Sequence, residues 1–498
     1  MSDIEVKDSA SKDQFNTSSE KDNSLGEVLD AEAGGLPFTA EEERRVKMKT
    51  DLIILPLLCC VFFLQYLDKQ SLSYASVFGL ITDLNLKGTE YSWCASIFYI
   101  GQLVSEYPFI YLMSRLPLAK FVGTTIVIWG IVCMCLAAPT NYAGFAAVRF
   151  LLGFCEGAVS PAFVTISSIW YRKSEHPMRI GAWITMNGLA QVVGALLMYG
   201  IGRNSSLSLA PWRTLFLICG ALTSATGVVF FFAMPSGPDK AWFFTPRERE
   251  VAAMRLARDH EGGDKTNFSI PQLLEALTDV KSWLTFAFGV LVTMPSPVLT
   301  FASLVISNIG YDKFQTMLYT APSGAVQILF IWIGVLGCYL FPKNRSLIVM
   351  ILVVVPLIGN ILLLKLSLNS GWGMIVASWL ASVISDIFSI TLSLSASNVK
   401  GNTKRAVVNT MYFIGYCAGC IGGPQLWMSD QKPRYKQGLI TDLVAWGLLL
   451  ISTAFYWYCC DSENKRRDAL QAEGRGDVSF EKGADITDGE DLSFRYNC

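Results

Sequence analysis

The chain has 498 residues, of which 52% are hydrophobic and only 16% charged, with a mean hydropathy of +0.39; soluble domains run near 25% charged, so an ordinary soluble enzyme is excluded. Its 40 Lys and Arg balance 41 Asp and Glu, and no basic tract is interleaved with aromatics, which excludes nucleic acid as a partner. Two histidines, His176 and His260, cannot build the multi-histidine sites of membrane desaturases or zinc proteases, so neither a metal nor a cofactor is expected.

The first 50 residues are polar, rich in Ser, Asp and Glu, and carry no apolar h-region. A disordered tail is expected there, without a cleavable secretory signal. Apolar runs between charged or turn-rich breaks then predict twelve membrane helices, at about 52–81, 91–113, 120–138, 142–169, 179–200, 212–234, 283–306, 318–341, 346–366, 372–396, 406–428 and 437–460. The expected organisation is a disordered tail (1–50), a six-helix bundle (51–234), a charged middle loop (235–282), a second six-helix bundle (283–460) and a second tail (461–498). The middle loop carries a helix-like stretch from Thr245 to His260, with Thr245 as its N-cap. Most of the thirteen cysteines lie inside apolar runs and read as packing; so does the Cys417 and Cys420 pair, which has redox spacing but no second pair nearby.

Lys and Arg accumulate in cytoplasmic loops. On one side 24 basic residues flank the span ends and on the other only 8, so both tails and the middle loop are expected in the cytoplasm. The sequon Asn204-Ser205-Ser206 then falls outside, and Asn204 is a glycosylation candidate in a very short loop. The halves resemble each other where Tyr171 to Arg179 enters span five and Asn398 to Arg405 enters span eleven. Each segment ends in Arg before a Gly-rich helix, which points to duplicated halves with close helix packing.

An ionisable side chain at bilayer depth costs about 2.5–3.5 kcal/mol on insertion scales, which makes each one a candidate for function. Asp68 and Lys69 fall near the middle of span one and are expected to line a cavity; ending the span at Leu67 would instead put them in an outer loop. Arg149 and Glu156 in span four are seven residues apart, on one helix face, and can share a polar seam with Asp68. Gly153 and Gly157 let a neighbouring helix approach that seam; a static ion-pair network is the structural alternative. Tyr99 and Gln102 in span two, with Asn187 and Gln191 one turn apart in span five, either line the cavity or join helices. Pro295 and Pro297 are expected to break span seven and Pro322 to interrupt span eight. Asp386 reads as the only midspan acid of the second half. No Gly-x-x-x-x-Gly-Lys-Ser/Thr segment occurs, so the energy for any pumping must come from a gradient.

Leu67-Asp-Lys-Gln70 with Tyr74, Arg149-Phe-Leu-Leu-Gly-Phe-Cys-Glu-Gly157, Trp170 to Trp183 and Lys404-Arg405 together resemble the major facilitator superfamily, and within it the fungal allantoate permease branch of the anion:cation symporters. The resemblance covers about residues 45–460. It departs at the loop after span two, Met113 to Lys120, where an expected acid is missing although Arg115 and Lys120 remain. The resemblance implies the major facilitator fold, an all-α membrane protein of twelve helices, and a transporter rather than an enzyme. It also implies proton-coupled uptake of a small organic anion such as a nicotinate-, allantoate- or pantothenate-like carboxylate. Carried over by position, Asp68 and Glu156 are the proton sites and Arg149 the partner that tunes them. Lys69 is the contact for a substrate carboxylate, with Tyr99, Gln102, Asn187 and Gln191 as further donors. A monomer in the plasma membrane is expected. Export of an acidic metabolite, or a transceptor with little net flux, are the alternatives, the second disfavoured by two short, featureless tails.

Overall fold

The computed structural model describes residues 38–157, 159–172, 175–204, 206–257, 268–308, 310–473 and 485–498. The first helix begins inside the expected tail, because Thr39 and Glu42 form a reciprocal cap: the Thr39 hydroxyl accepts from Glu42 N–H at 3.2 Å and the Glu42 carboxylate accepts from Thr39 N–H at 2.8 Å. From that cap α1 (Ala40–Val77) runs unbroken for 38 residues. Asp68 and Lys69 are therefore helical, and the outer-loop alternative does not hold.

The remaining helices are α2 (Leu80–Asp83), α3 (Glu90–Arg115), α4 (Leu118–Cys135), α5 (Tyr142–Glu156), α6 (Val159–Trp170), α7 (His176–Arg203), α8 (Pro211–Ala233), α9 (Pro246–Ala257), α10 (Ile270–Thr278), α11 (Val280–Thr293), α12 (Pro297–Asn308), α13 (Lys313–Leu340), α14 (Arg345–Lys365), α15 (Trp372–Ala381), α16 (Ser385–Ser397), α17 (Asn402–Gly422) and α18 (Lys436–Ala472). No strand occurs among the described residues. Among the described residues, ten stretches are long and apolar enough to cross a membrane; the two other expected spans, 91–113 and 142–169, fall on α3 and on α5 followed by α6. The middle-loop helix is α9, and its expected end at His260 lies outside the described residues.

Helix breaks only partly follow proline. Span seven does break at 294–296, before Pro297. Pro322, expected to interrupt span eight, sits inside an unbroken α13. Span ten breaks at 382–384 without Pro or Gly: the Ser382 hydroxyl and N–H both turn back to the Ser378 carbonyl, at 2.7 and 3.2 Å, and end α15.

Lipid tails are as apolar as leucine, so membrane helices are held by close packing more than by transfer from water. Glycines set the contacts. A Cβ on Gly153 would collide with the Phe98 carbonyl, joining α5 to α3, and Gly188 and Gly324 lie backbone to backbone where α7 crosses α13. The two halves meet where α1 packs on α12, α3 on α17 and α7 on α13.

On the face that carries the start of α1 and the end of α18, the terminal face below, each half has a charge cluster. In the first half Arg179 grips Asp51 with two bonds, Nε to Oδ1 at 3.2 Å and Nη2 to Oδ2 at 2.7 Å. Arg255 of α9 reaches Glu43 and Glu175. In the second half the equivalent position belongs to Lys404, not Arg405. Lys404 is 1% exposed, with its ammonium 2.8 Å from Glu275, 3.2 Å from Asp279 and 2.9 Å from Asp488. Arg405 is exposed and caps the Val399 carbonyl. Nor is the second tail featureless: α18 continues to Ala472, and residues 485–498 return as a strap. Arg467 donates to the Asp488, Asp491 and Phe494 carbonyls, and Asn398 exchanges two hydrogen bonds with the Asn497 backbone, at 2.8 and 2.7 Å.

Candidate functional site

Consecutive helical residues point about 100° apart, so α1 cannot send Asp68 and Lys69 to one partner. Asp68 is fully buried and faces α8, where the Thr223 hydroxyl donates to Oδ2 at 3.4 Å; Oδ1 is left without a hydrogen-bond partner. Lys69 faces α5. Its ammonium lies 3.0 Å from Glu156 Oε1, an ion pair without hydrogen-bond alignment, and Glu156 is fully buried.

Arg149 does not join this pair. Although it shares a face with Glu156, its Nε donates to the Cys94 carbonyl at 3.0 Å and Nη1 is unpartnered. Within the expected seam of Asp68, Arg149 and Glu156, the direct ion pair is Lys69 with Glu156, while Asp68 and Arg149 lie near it and bond to other partners. The Phe98 ring connects the two cations, with Lys69 5.7 Å and Arg149 5.1 Å from its centroid, an attraction worth about 0.5–2 kcal/mol each. Gly153 brings the Phe98 backbone this close, which is what the Gly-x-x-x-Gly spacing predicts.

A cavity of about 60 Å³ opens here between the halves. Tyr66, Lys69, Gln70, Phe98, Tyr99 and Arg149 line it from the first half, and Ser296, Leu299 and Thr300 from the second. The last three follow Thr293, where span seven breaks. Toward the start of α3 the two halves touch directly. Ser96 Oγ donates to the Ile421 carbonyl at 2.8 Å and accepts from Gln425 Nε2 at 2.8 Å, while Tyr91 meets Phe301 edge-on at 5.2 Å.

Of the other expected site residues, Tyr99 lines the cavity and meets Tyr416 across the halves at 5.9 Å. Gln102 is buried with Oε1 unpartnered, away from the cavity lining. Asn187 donates to Ser385 Oγ at 3.4 Å, and the Gln191 backbone carbonyl accepts from the Tyr74 hydroxyl at 3.0 Å. These two lie on the α7 and α13 contact, not on the cavity wall. Asn204 is exposed, with its side-chain oxygen accepting from Ser206. Arg115 and Lys120, left where a charge clamp was expected, settle over the Tyr111 and Phe231 rings.

Two buried residues escape the sequence reading. Gln327 is fully buried on α13, without charge to draw notice. Asp442 on α18 is 1% exposed with both carboxylate oxygens unpartnered. Asp386 is thus not alone in the second half; Asp442 lies so near a span end that its burial is invisible without the packing of α18.

A family model described as Major Facilitator Superfamily matches residues 58–424. The chain belongs to the major facilitator superfamily. It is similar to an uncharacterized transporter of Schizosaccharomyces pombe (36% identical, 92% of this chain and 90% of the relative). It is similar also to two proteins of Saccharomyces cerevisiae, an allantoate permease (32% identical, 94% and 89%) and the thiamine pathway transporter THI73 (32%, 97% and 91%), which places this transporter in the fungal allantoate permease-like branch. Among solved structures it superposes on the xylose transporter XylE from E. coli in a partially occluded inward open conformation (TM-score 0.59, 12% identical, 81% and 98% covered). The nucleoside transporter NupG gives a TM-score of 0.56 at 14% identity, with 81% and 98% covered. The transporter is an integral membrane protein that moves a small molecule, and it is not an enzyme.

Proposed function

We propose that this transporter takes up a small organic anion together with protons, as a monomer in the plasma membrane with both termini cytoplasmic. The observation that carries the reading is the Lys69 and Glu156 ion pair on the wall of a cavity shared by the two halves. One ammonium cannot serve two carboxylates equally well. Protonation of Glu156 removes its claim on Lys69 and releases the cation for a substrate carboxylate, so proton and anion each favour binding of the other. Asp68, buried one residue away with one oxygen unpartnered, is a second proton site. Arg149 holds positive charge over the same Phe98 ring as Lys69 and helps retain an anion.

The relative with allantoate in its name supports an anionic substrate, whereas the one named for the thiamine pathway leaves the choice of carboxylate to experiment. The test is uptake of labelled carboxylates into proteoliposomes under an imposed pH gradient. Accumulation is expected to rise as the outside is acidified and to collapse with a protonophore. Glu156→Gln should abolish accumulation while preserving exchange; proton-driven accumulation in that variant would overturn the coupling role of Glu156.

A further inference from the structure

Beyond the cationic wall the halves share a second polar cluster, made of amide and hydroxyl side chains. It sits where Gly188 and Gly324 allow α7 and α13 to touch, beside the break in span ten. Gln327 Nε2 donates to Ser385 Oγ at 2.9 Å and to the Ser382 carbonyl at 3.4 Å. A carbonyl can only accept, so this contact fixes the amide with its nitrogen toward the break and its oxygen away. Asn187 Nδ2 also gives its hydrogen to Ser385 Oγ. What remains without a partner are three buried acceptors, Gln327 Oε1, Asn187 Oδ1 and Gln191 Oε1, and one hydroxyl, that of Tyr66.

Buried amide oxygens are nearly always hydrogen-bonded, and the Tyr66 hydroxyl, with one hydrogen, can serve only one of the three, so a donor from elsewhere is called for. The cluster is not isolated from the cavity. Tyr66 lines it together with Lys69, and the Tyr66 hydroxyl lies beside Gln70, Gln327 and Ser385. Tyr66 therefore links a cationic end, Lys69 and Arg149 on the cavity wall, to an acceptor end beside Gln327.

We propose that Gln327 is a specificity-determining residue of this transporter, selecting anions that carry N–H or O–H donors at the end remote from the carboxylate. The inference rests on the anion reading above and deepens it. A substrate lacking the donor leaves at least two of the three amide oxygens unpaired, and sites built to hydrogen-bond a substrate group discriminate strongly against analogues without it. Asn187 shares this role, and its partner Ser385 holds both amides in register.

The test uses two matched series on the purified full-length protein: omega-amide carboxylates of three to six carbons, such as glutaramate, and the methyl ketones of equal shape, such as 5-oxohexanoate, in which NH₂ becomes CH₃. Affinity is read from ligand-induced thermal stabilisation, which follows mass action. The wild-type protein should bind the better amides at least about tenfold more tightly than their ketones. In Gln327→Leu and in the volume-conserving Gln327→Met the ratio should fall toward one, with ketone binding retained. The ligand-free melting temperature reports whether each variant is folded, and Gln327→Asn, whose amide is one carbon short, should lose the preference too. A wild-type protein that treats amide and ketone alike overturns the proposal, as does discrimination that survives in the Gln327 variants. If no member of either series stabilises the wild-type protein, the anion reading itself falls and takes this inference with it.

Discussion

The Lys69 ammonium lies 3.0 Å from the Glu156 carboxylate, whereas Asp68, the next residue along the same helix, turns its carboxylate to the Thr223 hydroxyl on α8. The pairing decides which substitutions should compensate each other. Removing one partner of a buried pair leaves an uncompensated charge and costs about 3–5 kcal/mol. Lys69→Ala should therefore lower the melting temperature at neutral pH, and adding Glu156→Gln should recover most of that loss. Adding Asp68→Asn should recover little. Thermal unfolding of the single and double variants checks this, and recovery through Asp68 alone would contradict the observed pairing.

Gly153 sits where α5 crosses the Phe98 carbonyl of α3, with no room for a Cβ. Gly153→Ala should separate the helices and cost about 1–3 kcal/mol. Because the Phe98 ring carries both Lys69 and Arg149, uptake should fall as well. Gly200→Ala, on an open face of α7 with nothing within 4 Å, should be neutral or stabilising by up to about 1 kcal/mol. Melting temperatures of the two variants against wild type make the comparison.

Arg179 holds Asp51 through two hydrogen bonds at the terminal face. Lysine keeps the charge but presents a point where arginine presents a fork. Arg179→Lys is expected to lose about 1 kcal/mol of stability, and Arg405→Lys close to none, since Arg405 is exposed and its guanidinium donates to the neutral Val399 carbonyl. Chemical unfolding in detergent measures both.

The strap formed by residues 485–498 should depend on pH through Asp488. Burial alone would raise that carboxyl, but the Lys404 ammonium, the Tyr496 hydroxyl and the Lys281 ammonium outweigh it and hold the carboxyl below its ordinary value of 3.8. A group depressed in the folded state stabilises fully above its ordinary value, and that contribution is lost as pH falls through the folded value. Hydrogen exchange of 485–498 should thus stay slow down to about pH 4 and accelerate below it. In Asp488→Asn it should already be fast at neutral pH, by about 10-fold or more. An exchange rate that ignores both the variant and the acid would show that the strap is held without this carboxylate.

Much of the fold is legible in the residues. Twelve apolar runs predict where helices lie, because a bilayer leaves the backbone no partner but itself, and all twelve fall on helical segments. The thirty-residue apolar run at 52–81 anticipates that Asp68 and Lys69 are helical. Gly153 and Gly157 announce a close crossing, and Pro297 a break. The break at Ser382 is not legible, since it depends on a serine turning to its own backbone instead of to a neighbour.

The candidate site divides in the same way. Sequence by itself determined that Asp68, Lys69, Arg149 and Glu156 are charges inside one helix bundle, because each stands inside an apolar run and the cost of facing lipid restricts it to an interior surface. Spacing along a helix fixes the face of each residue only relative to its own axis. How α1 is rotated against α5 and α8 depends on packing between helices distant in sequence, such as Gly194 of α7 against Leu67 and Tyr74 of α1, and that rotation sends Lys69 to Glu156 and Asp68 to Thr223. The same holds for the amide oxygens of Gln327, Asn187 and Gln191, which become one cluster only where α7 and α13 touch.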